Sequence, residues 1–222
     1  MLTRDEPDSW KLKETDGKYS VRSGYLIMES NAPVTTTNTL PAASRAVLWN
    51  CCAPFKVQTM AWRALCNKLP TRDNLSLRIE VSTEGRLCPC CAEVDESAAH
   101  LLLHCKDVGI VWNKMLQWIG IRGVMPAGLN DYFISFANLA RRKKDRTILG
   151  GLWICVVWIT LKRRNLVIFE NSEWRFPEMI EEIKRTMWSW LTAKGLIKTQ
   201  SGFCDWDRDF GWVLLVPWLA FL

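Results

Sequence analysis

Four cysteines and both of the chain's histidines fall within residues 88–105, in the run CPCCAEVDESAAHLLLHC. Cys88-x2-Cys91 followed by His100-x4-Cys105 is a thiolate pair followed by a His/Cys pair. A Cys-x-x-Cys turn presents two sulfurs to one ion at about 2.3 Å, and a second pair completes a tetrahedron. Four protein ligands leave no position for water, so the expected ion is one zinc with a structural, non-catalytic role. The alternative is a group of buried thiols, or a disulfide between two of them. The spacing leaves two ligand choices open. Cys90 competes with Cys91, although one intervening residue is a poorer chelate span than two. His104 competes with Cys105, because His100 and His104 share one face of a helix.

Other chemistry is hard to find. Two-metal nucleotidyl transfer needs close carboxylates, and the chain has no [FY]-x-D-D run and no adjacent Asp-Asp pair. With His100 committed, His104 stands alone, too little for a hydrolytic zinc site. No catalytic residue is predicted. What remains is charge. Arg141, Arg142, Lys143, Lys144, Arg146, Lys162, Arg163 and Arg164 are opposed between Leu139 and Asn165 by Asp145 alone, a local net charge of +7 within an overall +6. The remaining residues carry 21 basic against 22 acidic side chains and are near neutral. Concentrated Lys and Arg displace counterions from a phosphate backbone; the competing reading is a solvated loop and helix end.

The elements that must hold the cysteine window can be read around it. Pro89 presets a tight turn. Ser97 is the expected cap of a helix through His100 to Leu103, and Asp107 of the next helix, where Val108, Val111, Trp112, Met115 and Ile119 lie on one face. Zinc there would clamp a turn to a helix end and fix the angle of two helices. Upstream, Val57, Met60, Ala61, Ala64 and Leu65 follow helical spacing until Pro70, whose ring is expected to end the helix, and Thr71 is the expected cap of a helix through Leu75 and Ile79. Trp10, Leu12, Tyr19 and Val21 alternate with polar residues around Asp16-Gly17, a hairpin signal, and Ser23 is placed to cap a short helix. SNAPVTTTNTLPAA reads as a linker.

Downstream, one helix is expected over about Arg146 to Phe169. Another runs from near Pro177 to Gly195 with Ile180, Ile183, Met187, Trp190 and Leu191 inward. The apolar run Ile148–Leu161 has 14 residues, short of the roughly 18–20 that cross a bilayer, so a buried helix is expected and a membrane is not. Most of the 13 tryptophans are assigned to core. The polar, charged amino end and the nine cysteines point to a reducing intracellular compartment, nucleus or cytoplasm. Cys51, Cys52, Cys66, Cys155 and Cys204 then serve as small core residues or neutral passengers. The apolar tail WVLLVPWLAFL, interrupted by Pro217, either packs on the body or is degenerate sequence.

An ordered series of motifs runs Leu48-Trp49, Pro54-Phe55-Lys56-Val57, Trp62-Arg63, Asn67-Lys68-Leu69-Pro70-Thr71, Asn74-Leu75 and Arg78, then Cys88-Pro89-x-Cys91, Glu96-Ser97, His100-Leu101, Cys105 and Trp112. The series resembles the zinc-binding domain that follows the polymerase of plant LINE-type (non-LTR) retrotransposon reverse transcriptases. Trp10 with Asp16-Gly17-Lys18-Tyr19-Ser20-Val21-Arg22-Ser23-Gly24-Tyr25 resembles the family's upstream segment, and Trp158, Arg164-Asn165 and Ile168-Phe169 its downstream one. Leu161 stands where the downstream segment usually has a Trp, and Cys90 fills a variable position. The resemblance implies Cys88, Cys91, His100 and Cys105 as ligands. It also implies RNA or DNA as partner, gripped without sequence preference, and an upstream polymerase in the same polyprotein.

The expected fold is mainly α with a small N-terminal β-hairpin and a zinc-stabilised helical module. Its expected parts are hairpin and short helix (1–30), linker (31–46), zinc-binding module (47–125), C-terminal helical region (126–195) and divergent tail (196–222). The expected function is non-catalytic zinc and nucleic-acid binding, with no small-molecule substrate. The rival is a structural or protein-interaction module, or a retrotransposon relic, in which the charges are merely solvated.

Overall fold

Pro41 and the alanines after it begin the first helix of the computed structural model, which describes residues 40–80, 82–121, 126, 128–197 and 202–215. All of these lie in the unit Thr39–Leu222. The hairpin around Asp16-Gly17 and the helix after Ser23 fall outside the described residues. Helix α1, Ala42–Asn50, takes in residues 42–46, which the sequence reading assigned to a linker. Alanine favours helix, the Arg45 amide donates to the Pro41 carbonyl at 3.0 Å, and Leu48 is fully buried.

Helix α2, Phe55–Leu65, stops short of Pro70. Asn67 takes a left-handed φ of 51°, and the Lys68 amide closes back on the Arg63 carbonyl at 2.7 Å. This left-handed stop is a common helix ending, and it acts before proline can. Helix α3, Arg72–Ser76, begins after Thr71 but has five residues and does not reach Ile79. The Thr71 hydroxyl bonds the Asp73 carboxylate and makes no cap bond to the helix backbone. Helix α4 is the single turn Thr83–Arg86. A π-helical turn spans His100–His104, and α5, Lys106–Trp118, follows. Its inward residues Val108, Val111, Trp112 and Met115, with Ile119 just beyond, are fully buried. Asp107 lies inside its first turn and Cys105 takes the cap position, two residues earlier than expected.

Helices α6 (Leu129–Asn138), α7 (Lys143–Glu170) and α8 (Phe176–Ala193) complete the body. With 28 residues, α7 is about 42 Å long. From Ile148 to Thr160 it is buried on nearly all sides, as expected of a helix apolar all round. It packs against α1, α2, α5, α6 and α8. No described helix is long and apolar enough to cross a membrane. Helix α8 buries Met179, Ile183, Met187 and Leu191 and leaves Ile180 and Trp190 half-buried. It ends at Gly195 (φ +63°), with Leu196 closing on Leu191 at 2.9 Å.

Part of the expected tail is a helix, α9, Phe203–Leu215. Trp206 and Phe210 are buried, the Phe210 ring stacks on Trp118 at 4.3 Å, and the Trp118 indole donates to the Asp207 carbonyl at 2.9 Å. This stretch packs on the body. Of the described tryptophans Trp49, 40% exposed, is the most exposed. Among the described residues the only β-pairing is one antiparallel bridge, Leu87 to Asp95.

The paired glycines of α7 let the segment after α1 sit against it. A Cβ on Gly151 would come within 2.1 Å of the Cys52 sulfur, and one on Gly150 within 2.9 Å of Val47. Alanine improves helix propensity by about 1 kcal/mol, but overpacking a filled core costs roughly 1–3 kcal/mol. Gly151→Ala is therefore expected to lower stability by about 1–2 kcal/mol. Cys52→Ala in the same chain should recover most of it, because the atom struck is Sγ. Urea unfolding of both variants checks this; an undiminished midpoint for Gly151→Ala would refute the contact.

Candidate metal centre

The Cys-x-x-Cys turn is a backbone knuckle. The Cys88 amide donates to the Val94 carbonyl at 2.7 Å, the Ala92 amide to Cys88 at 2.9 Å, and the Glu96 amide to Arg86 at 2.8 Å. Ala92 has φ 54°, a left-handed turn that brings the chain back beside itself. The Trp174 indole, from the segment between α7 and α8, donates to the Pro89 carbonyl at 2.8 Å and holds the knuckle from outside.

The second half of the site begins at Ser97, whose hydroxyl accepts from the His100 amide at 3.0 Å. The helix it caps widens at once: the Cys105 amide donates to the His100 carbonyl at 2.6 Å, an i to i+5 closure. At 100° per residue, positions five apart on an α-helix point about 140° away from each other. The π closure sets i+5 back over i. This is the local reason that Cys105, and not His104, meets His100; the His104 side chain is exposed. The wider turn strands the Leu102 carbonyl, and the buried Trp112 indole donates to it at 2.8 Å.

One donor atom from each of Cys88, Cys91, His100 and Cys105 lies within 4.8 Å of the other three. The Cys91 sulfur and His100 Nε2 are 3.3 Å apart. A tetrahedron with zinc–sulfur and zinc–nitrogen bonds of ordinary length has edges of roughly 3.5–3.8 Å, so this donor set fits one zinc ion. Cys88 and Cys105 are buried, and Cys91 and His100 half-buried. Cys90 also stands beside Cys105, in a second group with Asp107 that offers three ligands, not four. The Cys88 and Cys90 thiols both bond the Cys105 sulfur. Those contacts hold the Cys105 thiol well below its usual range and push Cys88 and Cys90 well above theirs, with burial adding to the rise. Thiol ligands must shed their protons to hold a metal, so binding there releases protons.

All nine cysteines are free. Cys51, Cys52, Cys66 and Cys155 are core, whereas Cys204 is exposed. The Cys52 thiol is pushed up to about 12, chiefly by burial, which keeps it a neutral packing group.

The basic residues separate into two sets. Arg141, Arg142, Lys143 and Lys144, with Arg146, are exposed at the start of α7, and Asp145 among them is turned inward and buried. Lys162, Arg163 and Arg164 lie some 18–20 residues along the same helix, about 27–30 Å away. Lys162 pairs with Glu182 at 2.7 Å, and Arg163 reaches Glu182 at 3.7 Å and Glu178 at 4.0 Å. Arg164 departs furthest from its expected place on a nucleic-acid surface. It is buried, and its Nε and Nη2 grip the two carboxylate oxygens of fully buried Glu96 at 2.9 and 2.7 Å. Glu96 also accepts from the Arg72 amide at 2.9 Å, and Arg164 donates to the Pro70 carbonyl at 3.3 Å. This bidentate pair joins α7 to the knuckle and to α3. No role had been read for Glu96; its place in the quoted motifs, like that of Arg164, was the available signal.

Residues 19–112 match a family described as zinc-binding in reverse transcriptase. The match covers less than half of the 222-residue chain but includes all four clustered donors and Trp112, and that stretch is a domain of this zinc-binding type. No curated protein and no solved structure matches the chain.

Proposed function

We propose that the chain is a non-catalytic nucleic-acid grip, the C-terminal domain or a fragment of a retrotransposon reverse-transcriptase polyprotein. Zinc bound by Cys88, Cys91, His100 and Cys105 holds its shape, and residues 141–146 bind phosphate. The reading rests on one observation: the only acid in that run, Asp145, is buried, so the run shows solvent nothing but cations. Arg142, Lys143 and Lys144 have no carboxylate partner among the described residues. They crowd the amino end of a 28-residue helix, which is already its positive end. Cations there repel that end, and an incoming phosphate relieves the repulsion while meeting free amides. The zinc-binding domain type, named for reverse transcriptase, supports template RNA or target DNA as the polyanion.

Replacing Arg141, Arg142, Lys143 and Lys144 together with alanine is expected to weaken binding to single-stranded RNA or DNA. It should also flatten the salt dependence by about 0.7 in log–log slope for each phosphate no longer neutralised. The thermal midpoint should hold or rise. Fluorescence anisotropy across a salt series tests this. Wild-type protein that binds neither polymer at low salt would move the reading to a structural or protein-interaction module.

A further inference from the structure

Two hollows on the zinc-binding domain share a wall. One, of about 460 Å³, lies between the end of α2, the 67–70 turn and α3. The other, of about 390 Å³, lies between α2, the same turn and the last turns of α7. Arg63, Leu69 and Pro70 line both, so the two hollows adjoin as halves of one groove.

Arg63, Lys68 and Arg78 are exposed, and none has a carboxylate partner among the described residues. No acidic side chain lines the first hollow; Glu170 stands in the second. Three rings line the two hollows: Trp62, with the Lys68 ammonium 5.0 Å from its centroid, in the first, and half-buried Trp158 with Phe169, which is 76% exposed, in the second. The floor is fixed from beneath. The Asn74 amide ties the turn through Asn67 and Leu69, and Arg164 holds the Pro70 carbonyl. A groove with a tied floor that offers both unpaired cations and ring faces suits a chain of phosphates and unpaired bases. A duplex keeps its base faces stacked inside and has nothing to offer the rings.

We propose that this groove binds a short single-stranded segment of RNA or DNA, with phosphates on Arg63, Lys68 and Arg78 and a base against Phe169. The inference rests on the nucleic-acid reading above and adds a second binding surface, separate from residues 141–146.

The test uses the full zinc-loaded chain and fluorescein-labelled twelve-nucleotide oligo-U and oligo-dT, followed by anisotropy from low to moderate salt. Arg63→Ala/Lys68→Ala/Arg78→Ala is expected to weaken binding by tenfold or more and to reduce the log–log salt slope by about 2, three phosphates at roughly 0.7 each. Phe169→Ala, at an exposed site that leaves the fold intact, should weaken binding on the order of tenfold with the slope unchanged, as removal of a stacking ring does. A pre-annealed duplex should be indifferent to Phe169→Ala. If both groove variants bind like wild type while the alanine variant of residues 141–144 binds more weakly, the groove assignment is wrong and the wider reading stands. If wild type binds neither oligonucleotide, both fall. If a poly-glutamate peptide binds the groove more tightly than either oligonucleotide at equal salt, the partner is an acidic protein segment and the proposal is overturned.

Discussion

Stripping the purified protein with a strong chelator is expected to unfold residues 86–118, and metal analysis before stripping is expected to give one zinc per chain. The donors come from a seven-residue knuckle and from the two ends of a π-helical turn. Within the knuckle three backbone bonds hold the chain, two of them forming the Leu87–Asp95 bridge, and its surface residues Val94 and Ala92 are exposed; Trp174, Arg72 and Arg164 tie it from outside. Binding to a site that the unfolded chain lacks contributes about 10–16 kcal/mol to folding in structural zinc peptides. That is comparable with the entire stability of an ordinary domain, about 5–15 kcal/mol, so loss of the ion is not a local event. Cys88→Ser/Cys91→Ser should reproduce the apo state. Circular dichroism should show a fall in helix content, and indole fluorescence should report exposure of Trp112 as its bond to the Leu102 carbonyl breaks. Acid should act like chelator, since the ligands must shed protons to bind. Protein holding well under one equivalent of zinc, with a spectrum indifferent to chelator, would remove the structural-zinc reading.

The metal cluster was legible in the sequence to an uneven degree. Cys-x-x-Cys is a local signal, because the turn that joins the sulfurs also sets their spacing, and Cys88 and Cys91 needed nothing more. The partner of His100 was not local in the same sense. α-Helical spacing favours His104, and the preference for Cys105 came from the family resemblance alone. Its physical reason is the i to i+5 closure, a rare backbone choice that residue periodicity does not encode. Charge was read least well. A run of Lys and Arg looks the same in sequence whether it faces solvent or a buried carboxylate, and the partner Glu96 is 68 residues from Arg164.

Elements with many residues of one period were the easiest to place. The helices α7 and α8 and the inward face of α5 follow from apolar spacing with few competing signals. Short elements were not placed as well, because one or two bonds decide them. Helix α2 ends where Asn67 adopts a left-handed conformation, not at Pro70. Helix α3 is cut to a little over one turn, with the Thr71 hydroxyl diverted to Asp73. Residues 203–210 gave no motif, and their attachment to the body depends on ring packing with Trp118 and Trp188, which no local pattern announces.

The buried pair Glu96–Arg164 should prove to be the strongest single side-chain link between the long helices and the zinc module. Arg164→Met leaves a fully buried carboxylate with only the Arg72 amide as donor; Glu96→Gln leaves a buried guanidinium without its counter-charge. Removing one partner of a buried ion pair costs about 3–5 kcal/mol, because the remaining charge is desolvated and uncompensated. The surface pairs of Lys162 and Arg163 with α8 should each be worth under about 1 kcal/mol by comparison. Changing both partners, Glu96→Leu with Arg164→Met, should cost less than the two single changes added, since no charge is then stranded. The link also has a functional reading. Glu96 immediately precedes Ser97, whose hydroxyl sets the start of the helix that carries His100. Loosening Glu96 should therefore weaken zinc as well as fold. Urea unfolding of the zinc-loaded single and double variants measures the first effect, and competition with a chromogenic chelator the second. If either single variant stays within about 1 kcal/mol of wild type and holds zinc as tightly, the pair is packing that the fold can do without. The rigidity of the groove above Pro70 then has to come from Asn74 and the 67–70 turn alone.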